Sequence, residues 1–230
     1  MPMRYSRKIA FLSLCVALML VLGLLDRAVP LSALLSGGVP GLKLGLANTV
    51  LLYGIFLLSL KETLVLMLAK VVLSGFLFGS LTAILYSLSG GILSMGAMLL
   101  ARRHPKTGAM LMGAFALASD AFLLVRNSSP RGQMLLCVIL IGLGALAALV
   151  FYLLIRRYPR LEVIGVSLCG AVFHNIGQVL TAALVLHSPR LLTLYLPVLV
   201  GLGAAVGCLT GIVAQRVMAA MRRLPGASDT

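Results

Sequence analysis

Acidic side chains are nearly missing from this chain. It has 5 Asp+Glu against 19 Lys+Arg in 230 residues, a formal net charge of +14. The acids are Asp26, Glu62, Asp120, Glu162 and Asp229, and no two lie within ten residues of each other. That spacing excludes a paired-aspartate motif that would hold magnesium on a diphosphate. No GxxxxGK[ST] phosphate loop and no HExxH pair occurs, so neither P-loop ATP hydrolysis nor that zinc chemistry is available. Tryptophan is absent. The four cysteines, Cys15, Cys137, Cys169 and Cys208, are far apart, each inside an apolar run. They read as small core residues and not as disulfides or a metal site. No cofactor and no enzymatic activity is expected.

Apolar residues are abundant instead. Hydrophobic residues make up 61% of the chain and charged residues 10%, against about 45–50% and 25% in ordinary soluble domains. Mean hydropathy is +1.12. A soluble domain of this size cannot hide so much apolar surface, so the natural solvent is a bilayer. The pI near 10.6 would point to nucleic acid in a soluble protein. Here the cations sit in short clusters between apolar runs, as orientation signals do. No cluster carries an aromatic surface for stacking bases, and nucleic acid is not an expected partner. The apolar run after Arg4, Arg7 and Lys8 ends in DRAVP, without an A-x-A-like cleavage site. It reads as a retained first helix and not as a cleaved signal.

A spanning helix needs about 20 mainly apolar residues. Eight spans are expected, near 8–27, 45–60, 62–80, 81–101, 108–125, 132–155, 161–186 and 191–215. The second is short and the boundary between the third and fourth is soft. KE, RRHPK, RNSSPR, RRYPR and HSPR mark the breaks. With the amino terminus inside, 13 cations fall on cytoplasmic segments and 5 on outer ones, with Lys70 inside a span. The bias predicts a multi-pass cell-membrane protein, in a bacterial inner membrane, with both termini cytoplasmic. The fold class is therefore all-α, a polytopic membrane helical bundle, read as a single transmembrane domain over 1–230.

Polar groups in hydrocarbon are costly and mark candidate sites. The first cluster is PGLKLGLAN. Pro40 and Gly41 end an outer segment (28–44) that reads as a re-entrant lid or as an amphipathic surface segment. Lys43 stands at the mouth of the following helix, whose free N–H groups favour anionic or carbonyl-rich ligands. Asn48 lies one turn further. Structural roles for both are snorkelling and a helix–helix hydrogen bond. The second cluster is GAVFHNIGQ. His174 and Gln178 are four residues apart on one helix face, with Asn175 beside them. His174 lies ~20 Å along its helix, past the midplane toward the outer half. Interhelical glue is the alternative role.

The third cluster is Lys70 with Ser87, Ser89, Gly90, Gly91 and Ser94. Lys70 sits near mid-bilayer without an acid nearby in sequence. It needs a carbonyl, a distant acid or a ligand. Ser89, Gly90 and Gly91 read either as a helix break that exposes backbone at mid-depth or as close-packing residues. Asp120 reads as a rim ion-pair partner of Arg126. Gly203, Gly207 and Gly211 form a stripe at i, i+4, i+8 for close helix packing, in this chain or with a partner.

PGLKLGLANTVLLY, SLSGGILSMGAM and IGVSLCGAVFHNIGQ, in this order, resemble the family named heptaprenyl diphosphate synthase component I, also called the Gx transporter family. That family is similar to the substrate-binding S components of energy-coupling-factor (ECF) transporters. The resemblance covers roughly 8–101 and 161–215. It implies six core helices and an outward-opening small-molecule site drawing on Lys43, Asn48, His174, Asn175 and Gln178. By analogy it implies an ATP-hydrolysing energising module with a transmembrane coupling subunit as partner. Residues 105–158 depart from the pattern as an inserted helical pair, and Lys70 stands where relatives are expected to carry arginine. The expected function is a membrane substrate-binding subunit for uptake of a small organic molecule. The alternatives are a non-catalytic accessory subunit of heptaprenyl diphosphate or isoprenoid quinone synthesis, and a ligand-free anchoring subunit.

Overall fold

A computed structural model describes residues 5–28, 46–78, 81–104, 153, 162–188, 191–192 and 196–221. Six helices make up nearly all of it: α1 (Tyr5–Ala28), α2 (Asn48–Leu57), α3 (Leu60–Phe78), α4 (Leu81–Arg103), α5 (Glu162–Val185) and α6 (Leu196–Met221). No strand occurs among the described residues, and the molecule is a helical membrane bundle. The expected spans at 108–125 and 132–155, the inserted pair 105–158 that holds them, and Asp120 lie outside the described residues.

Among the described residues four stretches are long and apolar enough to cross a bilayer: Lys8–Asp26, Leu81–Arg103, Glu162–Val185 and Leu199–Ala220. The expected span at 45–60 is corrected. Helix α2 has ten residues, which at 1.5 Å each reach about 15 Å, half a hydrocarbon core. Ser59 ends it. The Ser59-x-x-Glu62 spacing is a capping box, and the Ser59 N–H donates to Glu62 Oε2 at 3.0 Å. Chain direction therefore reverses in two residues, and Gly54 of α2 packs under Thr63 of α3. The soft boundary near residue 80 resolves as the gap between Phe78 and Leu81. Helix α5 ends at Val185, and His187 just beyond it, with φ of 48°, lets the Ser188 N–H reach back to Ala183 O at 3.0 Å. That left-handed cap closes the helix without a glycine.

Helix α5 is the central pillar. Of its apolar window 78% is buried, against 17% for α1 and 22% for α6. Val172, Val179 and Ala182 of α5 are fully buried. The outer faces of α1 and α6 carry Leu14, Leu18, Val21, Leu209, Ile212 and Val213 exposed, the surface a lipid chain would cover. Glycines set how near the helices come to α5. A Cβ on Gly177 would stand 2.8 Å from Gly90 Cα, one on Gly207 2.9 Å from Leu168 Cα, and one on Gly211 2.8 Å from Ile164 Cα. The stripe at Gly203, Gly207 and Gly211 thus finds its neighbour in the same chain.

Those contacts run antiparallel. Gly90 meets Gly177 and Met98 meets Gly170, while Gly203 meets Asn175 and Gly211 meets Ile164. The amino ends of α1, α3 and α5 therefore share one face of the bundle with the carboxyl ends of α2, α4 and α6. At that face Lys8 pairs with Glu62. Arg102 lies 4.9 Å from the Phe56 ring centroid and donates to Ile55 O.

Candidate functional site

Lys43, Pro40 and Gly41 lie outside the described residues. The other polar candidates sit on α2 to α5, and the fold sorts them into three groups. In the first, Lys70 Nζ on α3 donates to Asn48 Oδ1 on α2 at 2.7 Å. Both side chains are buried, 7% and 5% exposed. The carbonyl that Lys70 requires in the bilayer interior is thus a side-chain amide 22 residues away. Met67, one turn before Lys70, rests on Gly91. That register brings Lys70 to the level of Ser87 on α4.

In the second group, Gln178 Nε2 donates to His174 Nε2 at 2.5 Å within α5. The His174 ring lies over Gly90, where an added Cβ would stand 2.7 Å from Nδ1. Ser89 Oγ lies 3.1 Å from both Tyr86 O and Gly177 O. Helix α4 runs unbroken through Ser89, Gly90 and Gly91, which corrects the helix-break reading. The helix continues through all three, and the missing Cβ atoms of Gly90 and Gly91 admit α5 and α3 to the backbone.

In the third group, Asn175 turns toward α6. Its Nδ2 donates to Leu199 O at 2.6 Å, and its amide packs against Gly203. Asn175 therefore ties α5 to α6 and does not join His174 and Gln178.

A hollow of about 10 Å³ lies where α2, α4, α5 and α6 meet. Asn48, Thr49, Ser167, Gly170 and Thr210 are among its walls, with Met98 beside them. Asn48 Nδ2 is buried without a hydrogen-bond partner among the described residues. Ser167 Oγ lies 3.1 Å from Thr210 Oγ1, and Thr210 Oγ1 donates to Val206 O at 2.8 Å. His174, Asn175, Gln178 and Lys70 are not part of this hollow's lining. The expectation that the GAVFHNIGQ cluster and Asn48 share one recess is corrected to that extent. The α5 residues beside Asn48 lie a turn or more toward the amino end, at Ser167, Gly170 and Ala171.

Sequence reasoning missed Ser167, Thr210 and Thr49. Single hydroxyls in apolar helices are common, and only Thr210, between Gly207 and Gly211 on the small-residue face, carried a positional signal. It also missed Asp26. This acid is 2% exposed, and its Oδ2 accepts the Leu46 N–H at 2.8 Å. The amino end of α2, read as a landing place for an anion, already holds a carboxylate of its own chain. An acid directly at the end of an apolar run was the available signal.

Comparison with known proteins adds one result. The family model described as heptaprenyl diphosphate synthase component I matches residues 15–125 and 120–217. The chain belongs to that family. The match takes in all or most of α1 and α6 and the whole of the helices between them. No curated protein and no solved structure matches the chain.

Proposed function

We propose that this protein is a non-catalytic membrane subunit that binds a small organic molecule from the outer side and takes part in its uptake. The observation that supports it most is the buried Lys70–Asn48 pair, with the Asn48 amide on a hollow between four helices. A lysine inside a bilayer is expensive to keep and is usually functional. The five acids are too scattered for diphosphate chemistry. In this reading Ser167, Gly170 and Ala171 form the α5 wall of the recess beside Asn48, and Lys43, Pro40 and Gly41 belong to its outer lid. Both termini face the cytoplasm. The partner is an ATP-hydrolysing module with a transmembrane coupling subunit, by analogy with ECF S components.

Native mass spectrometry of the purified protein tests the proposal. It is expected to detect a bound small molecule, lost in both Asn48→Ala and Lys70→Met. An unliganded wild-type protein, or equal occupancy in both variants, would overturn it.

The family match favours a second reading, an accessory subunit of heptaprenyl diphosphate or isoprenoid quinone synthesis. It would recruit or present a lipid substrate to a separate catalytic component. Co-purification with a soluble prenyl synthase and a rise in that enzyme's rate would decide for it.

A further inference from the structure

The hydrogen-bond direction on the Asn48 side of the hollow is fixed by chemistry. Lysine only donates, so the Asn48 amide must turn Oδ1 to Lys70 Nζ. Its Nδ2 then points the other way, a buried donor without an acceptor among the described residues. On the far wall Thr210 has one hydroxyl proton, and it goes to Val206 O at 2.8 Å. Gly207 O, at 3.3 Å, is a second acceptor for that proton on the same helix, and with the proton given to α6 the 3.1 Å contact between Ser167 and Thr210 has Ser167 as its donor. Its oxygen keeps lone pairs for the hollow. One wall donates and the opposite wall accepts.

We propose that the hollow is a built site for one protic oxygen, a water or the hydroxyl of a bound alcohol, which accepts from Asn48 Nδ2 and donates to Ser167 Oγ. This closes a one-directional chain. It runs from Lys70 Nζ to Asn48 Oδ1, from Asn48 Nδ2 to the oxygen, then through Ser167 and Thr210 to Val206 O. The chain links α3, α2, α5 and α6. The size agrees, because a hollow of about 10 Å³ is near the minimum for one water, which also needs two or more polar partners. An ionised carboxylate has no proton for Ser167, and both a carboxylate and a phosphate need more room than about 10 Å³. The site does not require that the protein carry a ligand.

The chain has three asparagines, Asn48, Asn127 and Asn175, so side-chain amide spectra of the full-length protein are simple to assign. The experiment is ¹⁵N-asparagine labelling in deuterated detergent, with nuclear Overhauser contacts read from the Asn48 amide protons. A contact at the water frequency identifies a bound water. A contact to carbon-bound protons of a molecule retained through purification identifies a ligand hydroxyl. Either supports the proposal; contacts to protein protons alone overturn it. In Ser167→Ala, loss of the accepting partner should lower occupancy about fivefold, and an undiminished contact overturns the chain. The Asn175 amide, bonded to Leu199 O, reports whether the variant folds. If it does not, the wild-type spectrum still decides.

Discussion

Lys70 reaches Asn48 across the α2–α3 hairpin at 2.7 Å in a buried side-chain hydrogen bond. Polar pairs inside membrane proteins couple by about 0.6 kcal/mol on average and up to about 1.7. A double-mutant cycle of Lys70→Met and Asn48→Ala, read as thermal stability in detergent, should give a coupling of about 0.5–2 kcal/mol. Additive losses would show that the pair contributes no mutual stabilisation.

The α6 glycines offer an internal control. An added Cβ on Gly207 would meet Leu168 Cα at 2.9 Å, whereas one on Gly201 meets nothing within 4 Å. Backbone cannot move aside as a side-chain tip can. Gly207→Ala should destabilise by about 1–3 kcal/mol through overpacking. Gly201→Ala should be neutral or gain up to about 1 kcal/mol from helix propensity. Melting temperatures of the two variants check this, and equal shifts would contradict the α5–α6 packing.

Asp26 should act as the amino-terminal cap of α2. Asp26→Ala frees the Leu46 N–H at an expected cost of about 0.5–2 kcal/mol. Hydrogen exchange should quicken over residues 46–50 and stay slow in α5. Asp26→Asn keeps an acceptor oxygen and should lie between the two. Equal exchange in all three proteins would remove the cap.

The proposed orientation makes a labelling prediction. Lys61 and His187 are both exposed, at opposite ends of the bundle. With the four native cysteines replaced, a membrane-impermeant maleimide added to intact cells should modify His187→Cys and spare Lys61→Cys. The reverse pattern would invert the topology.

The sequence by itself determined the solvent and the helices. Apolar runs of about 20 residues have one stable form in hydrocarbon, because every backbone group must bond within its own segment. That is why five of the six described helices fall within a few residues of their expected places. It also determined which side chains needed partners, since Asn48, Lys70, His174, Asn175 and Gln178 are all buried. Tertiary structure decided who the partners are. Lys70 took a side-chain amide across a hairpin, Asn175 took a carbonyl of α6, and the SLSGG segment stayed helical because its glycines admit α5. Asp26 and the Ser167–Thr210 pair entered the picture only with the fold. The physical reason is that hydropathy is a property of each segment alone. The direction of a polar group depends on helix rotation and register, and those follow from where glycines on different helices meet.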